Sequence, residues 1–176
     1  MNLDEMIAQM ALQAGRIRAL AEGVSAEQAR WKPDAASWSI LEVVNHLYDE
    51  EREDFRVRLD LLLHRPGEVA PPIDPQSWVT AREYNHRDLA ESIDNFLVER
   101  QRSLDWLRGL AAPNFAAEIV MPWGTVYHPG DMAAAWVSHD LLHLRQLVEL
   151  HWAWTQQAVA PYESDYAGPW QTPALS

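Results

Sequence analysis

Residues 130–154 read GDMAAAWVSHDLLHLRQLVELHWAW. Apolar residues at helical spacing predict one long amphipathic helix over 131–154. Three more helical regions precede it in the chain. Over 3–22, Leu3, Met6, Ile7, Met10, Ala14, Ile17, Leu20 and Ala21 recur on one face, with Gly23 as a stop and SAEQAR as a short turn capped by Ser25. A second helix starts near SWSILE, where Ser39 and Glu42 have capping-box spacing and Ser37 is a rival cap. It runs to about residue 63 and stops before Arg65-Pro66-Gly67. PGEVAPPIDPQ, residues 66–76, carries too many prolines for a helix and reads as a long crossing loop. A third helical region covers 77–110, with Asn85 capping a main segment that begins at His86 and an apolar stripe from Ile93 through Leu110. Residues 112–130 hold turn residues and strand formers that suit a small hairpin, and the tail over 155–176 is irregular and aromatic. The expected fold is all-α: a single domain over 1–176 forming an up-and-down four-helix bundle with a long loop between helices two and three.

Composition narrows the function. The chain has 176 residues, 48% hydrophobic and 23% charged, the profile of an ordinary globular protein. No apolar run approaches the ~18 residues of a membrane span, and MNLDEMIAQM lacks the basic start of a secretory signal, so a cytoplasmic protein is expected. The net charge of −12 repels phosphate backbones, and the arginines are interleaved with acids, as in EEREDFRVR, so no nucleic-acid partner is expected. With no cysteine, disulfides, thiolate ligands and a cysteine nucleophile are excluded. A metal site here must use His, Asp, Glu or water.

HDLLH, residues 139–143, places His139 and His143 on one helical face, ~6 Å apart at the backbone. Asp140 follows His139, so the zinc-protease HExxH pattern is absent, and that side chain points ~100° away in a structural role. His46 is the third candidate. It lies about seven residues into helix two, and His139 about eight into helix four, so both sit ~10–13 Å from their helix starts. If helices two and four run parallel, as in an up-and-down bundle, the imidazoles meet across the interior, and three His ligands with an open position make a catalytic rather than a closed structural site. The alternative is packing: His46 as a boundary residue between Glu42 and Glu50, His143 bonded to a carbonyl. Glu42, Glu50 and Gln146, each one turn from a histidine, are candidates to orient the imidazoles. Trp38, Tyr48 and Trp136 are candidates to line a pocket. His64, His86 and His128 have no such geometry, and His151 is a remote fourth ligand.

Three blocks in this order, WKPDAASWSILEVVNHLYDEE around His46, AREYNHRD over 81–88 and GDMAAAWVSHDLLHLRQL around His139 and His143, resemble the DinB/YfiT-like superfamily of bacterial four-helix proteins. The likeness spans residues 3–154. It implies a divalent metal, zinc or nickel, on His46, His139 and His143, a small-molecule substrate and a homodimer. Some members of that superfamily are thiol-dependent S-transferases that use mycothiol, bacillithiol or glutathione; others are hydrolase-like or isomerase-like. The resemblance therefore implies a metal-dependent enzyme in which the ion activates an external low-molecular-weight thiol or a water for attack on a small electrophile. The competing class is a non-catalytic protein that binds metal for stability or dimerises through its aromatic tail.

Overall fold

A computed structural model describes residues 2–170. Helix α1 spans Leu3–Ala21; the Asn2 side chain accepts from the Asp4 and Glu5 amides, and Gly23, at φ 78°, turns the chain out of it. The short α2, Ala26–Arg30, starts on Ser25. Helix α3, Ile40–Glu50, begins with a full capping box: the Ser39 hydroxyl accepts from the Glu42 amide, and Glu42 accepts from the Ser39 amide. Ser37, the rival cap, instead closes a turn on Asp34. A π-helical turn, Glu51–Phe55, joins α3 without a break to α4, Arg56–His64, making one rod over 40–64.

The proline-rich connection differs from expectation at its end. Pro75 opens α5, Pro75–Ala81, capped by Asp74. At the first helical position a missing N–H costs nothing. The third helix also starts later than expected: α6 is Leu89–Arg108 and its cap is Asp88, not Asn85. Glu83 adopts left-handed backbone at φ 50°, a single 3₁₀ turn follows, and Asn85 is engaged elsewhere, accepting from the Ser39 hydroxyl and donating to the Arg30 carbonyl. The hairpin is present as β1, Ile119–Val120, antiparallel to β2, Val126–Tyr127. Helix α7 runs from Pro129 to Val159, longer at both ends than the periodicity implied. Gly130 is confined by packing: its amide donates to the Phe115 carbonyl, and a Cβ there would sit 2.8 Å from that oxygen. Residues 155–159 of the expected tail are thus helical, and 171–176 lie outside the described residues.

Side-chain pairings give the order of the bundle. Arg100 of α6 reaches the Met10 carbonyl of α1; Asn45 and Arg56 of the rod bond Ser92 and Ser103 of α6. Gln13 of α1 donates to the Val137 carbonyl of α7, and Glu51 of the rod accepts from Trp136 of α7. The rod therefore lies between α6 and α7, parallel to α6 and antiparallel to α7, with α1 completing the ring. Helices two and four are neighbours running in opposite directions, whereas simple alternation would make them parallel and diagonal. The 65–88 connection is long enough to return the chain to the top before α6 descends.

The core has two large apolar clusters and a small third one of Leu62, Ile119 and Met121 at the hairpin. Ile17, Val44, Phe96 and Leu147 belong to the upper one, Met10, Leu59, Leu107 and Trp136 to the lower. Buried Arg100, Glu51, Asp140, His46 and His143 form a polar layer between them. Among the described residues no helix is long and apolar enough to cross a membrane.

Candidate metal centre

The antiparallel rod and α7 bring His46, His139 and His143 together. Nε2 of His139 is 3.3 Å from Nε2 of His46 and 3.1 Å from Nε2 of His143. Ligand atoms of all three lie within 4.8 Å of one another. His46 and His143 are buried and His139 is partly exposed. His143 Nδ1 lies 2.8 Å from Gln146 Oε1, which can only accept, so Nδ1 carries the proton and Nε2 presents its lone pair. On the far side of His46, Nδ1 has no hydrogen-bond partner among the described residues; Glu50 Oε1, buried and likewise without one among them, is 4.0 Å away.

Burial, reinforced by the neighbouring histidines, pushes His46 down to about 2; burial with His143 and Arg100 brings His139 to about 3. His143 is lowered by burial as well, against the raising effect of Gln146. All three imidazoles are thus neutral at physiological pH. Neutral nitrogens packed this closely repel one another through their lone pairs unless a cation or a shared proton lies between them. With Zn–N bonds near 2.0–2.1 Å, the edge of a tetrahedral site is about 3.3 Å, close to the separations found here. The donor set fits a divalent ion.

Glu50 is held protonated at neutral pH. Burial comes first, then the hydrogen bond with Asp54 and its charge, and together they push Glu50 up to about 8. Asp54 in turn is bonded by Arg58. Glu42 does not reach the histidines: one oxygen caps Ser39 and the other pairs with Lys32 at 2.7 Å. Tyr48 lies under the Arg52 guanidinium, away from the site. Trp136 is fully buried beneath it, donating to Glu51 and stacked on Phe55. Of these three aromatic candidates it is Trp38 that faces the centre, parallel to His143 and 4.8 Å from the His46 ring, while Phe55 lies 4.9 Å from the His139 ring. Asp140 is structural, bonded through both oxygens to Arg100 at 2.6 and 2.8 Å. His151 is likewise structural: Nε2 donates to the Leu20 carbonyl and Nδ1 accepts from Gln28.

The triad opens into a cavity of about 980 Å³, large for a small-molecule site. Phe55 and Asp54 reach it through the π-helical turn, which points Glu51 at Arg100 while Glu50 and Asp54 face the cavity. Periodicity at a fixed helical repeat carries no signal for such a turn, so neither residue stands out in the sequence.

A family model described as the DinB superfamily matches residues 9–147. The chain belongs to the DinB superfamily. Its fold is shared with a solved structure described as "YfiT from Bacillus subtilis is a probable metal-dependent hydrolase with an unusual four-helix bundle topology", at a TM-score of 0.75 and 19% identity over 87% of each chain. No match is found among curated proteins. The DinB fold explains how residues 93 positions apart come to share one site: it sets the rod beside α7, and His46 faces the middle of that helix.

Proposed function

We propose that this DinB-superfamily chain is a metal-dependent enzyme. In it His46, His139 and His143 hold one divalent ion, zinc or nickel, and the substrate is a small electrophile attacked by water or by an external low-molecular-weight thiol. The observation that carries this reading is the convergence of three neutral imidazole nitrogens at the wall of a large cavity. Such an ion would supply Lewis acidity and lower the pKa of a coordinating water or thiol. The chain's own residues supply the rest. Gln146 fixes the tautomer of His143 from behind. Glu50 closes off the rear of His46, and Trp38 and Phe55 wall the imidazoles with apolar surface that limits bulk water. With no cysteine, a thiol nucleophile must come from outside. Exposed Tyr162 and Tyr166 on the tail support a homodimer as the working assembly.

The test is metal content followed by turnover. Tag-free protein purified without chelators is expected to carry about one ion per chain and a His139→Ala/His143→Ala variant none; the loaded protein is then screened for hydrolysis and thiol transfer. No ion in the parent after incubation with zinc or nickel overturns the metal site. A loaded protein inert in both screens removes the enzymatic reading.

A further inference from the structure

The cavity does not end at the imidazoles. It follows one face of α7, where His139, Leu142, Gln146, Glu149 and Ala153 succeed one another at helical spacing. At 1.5 Å per residue, the stretch from 139 to 153 spans about 21 Å. Two tryptophans line the far end. Trp152 projects from α7, and Trp170 returns from the tail to stack on it, with ring centroids 4.7 Å apart and planes 10° from parallel. Trp170 remains half exposed. The charges at this end are balanced, because Arg145 and Glu149 pair with each other at 3.3 Å. An anionic group would find no free cation among these lining residues, whereas a flat π-system would find indole surface already oriented for stacking.

We propose that the Trp152–Trp170 end of the cavity is a specificity subsite for a planar, uncharged aromatic group of the substrate. That group lies about 14 Å along α7 from His143, by the rise of nine helical residues. The subsite makes the substrate bipartite, with a reacting end at the histidines and an aryl end at the tryptophans. Calling the ligand a substrate rests on the metalloenzyme reading, but binding of the aryl group does not need the ion.

The test separates the two. Full-length protein is titrated with N-phenyl-1-naphthylamine, an uncharged fluorophore that brightens on leaving water, and with 8-anilinonaphthalene-1-sulfonate, which adds a negative charge to the same ring system. One saturable site per chain is expected, with the uncharged probe about tenfold tighter. Trp170→Ala weakens it by about tenfold, the scale of a lost aromatic stack. Trp170 is on the exposed tail, so this variant leaves the bundle intact; Trp152→Leu is the second arm. Trp123→Ala, on the exposed hairpin, leaves binding unchanged. His139→Ala/His143→Ala leaves binding within about twofold, so an empty metal site does not register as a failed subsite. Absence of saturable binding, indifference to both Trp170→Ala and Trp152→Leu, an equal loss in Trp123→Ala, or tighter binding of the sulfonated probe each overturns the proposal.

Discussion

Each imidazole of the triad depends on a second atom behind it. Gln146 Oε1 holds the Nδ1 proton of His143, and without it the ring can turn or change tautomer. Gln146→Leu is therefore expected to weaken metal binding about 10–100-fold, read by competition with a chromophoric chelator, while Gln146→Glu retains most of the affinity. Unchanged affinity in the leucine variant would show that packing alone orients the ring. The depressed histidines also make the metal-free protein acid-sensitive. His46 and His139 titrate near 2 and 3 in the fold and near ~6.5 when unfolded, so below that pH the unfolded chain binds more protons. Stability is then present above about pH 6.5 and is lost as pH falls, on the order of 2 kcal/mol for each histidine by about pH 5. Denaturant melts of the metal-free chain against pH should show this slope, flattened in His139→Gln; a variant with the same slope refutes it. His139 and His143 were legible because helical spacing projects directly onto a face; His46 was matched to them on a parallel pairing of helices, and meets them instead across the antiparallel rod and α7. Glu42 was legible in two ways that compete for one carboxylate, and the capping box takes it, together with Lys32.

At the scale of elements, the decisive feature is the polar layer between the two apolar clusters. Arg100 of α6 bonds Asp140 of α7, Glu51 of the rod and the Met10 carbonyl of α1, so one guanidinium ties together all four long helices. Arg100→Met would leave Asp140 and Glu51 buried without their partner and is expected to cost about 3–5 kcal/mol in urea unfolding. Adding Asp140→Leu and Glu51→Gln should recover most of that loss, since the glutamine still accepts from Trp136. A single variant as stable as the parent would mean that the layer relaxes or admits water. None of this was readable from periodicity. Arg100 is one of three arginines on a helix rich in charge, and its burial follows only from which helices are neighbours. The π-helical turn was hidden for a related reason, because it breaks the repeat that would reveal it. A helix end was readable at Ser39, where capping-box spacing with Glu42 outweighs the rival Ser37, and misplaced at Asn85, where the cap is Asp88.

For the whole molecule, four amphipathic segments were enough to foresee a four-helix bundle, but not the neighbours of each helix. The apolar stripes say that every helix has a buried side; only the long 65–88 connection hints that the rod and α6 run the same way. That arrangement decides what a bound ion does for stability. The rod and α7 are already joined without it, by the Glu51–Trp136 bond, by Arg100 bridging Glu51 and Asp140, and by both apolar clusters. An ion on the three histidines adds only its binding free energy, about 2.7 kcal/mol when present at a hundredfold over Kd. For a chain of this size that is a rise of roughly 5–10 °C in Tm. Chelation should therefore lower Tm by that amount, leave the far-UV circular dichroism unchanged at room temperature, and have no effect on His139→Ala/His143→Ala. Collapse of the helical signal on chelation would instead make the ion a structural fastener and count against a catalytic role.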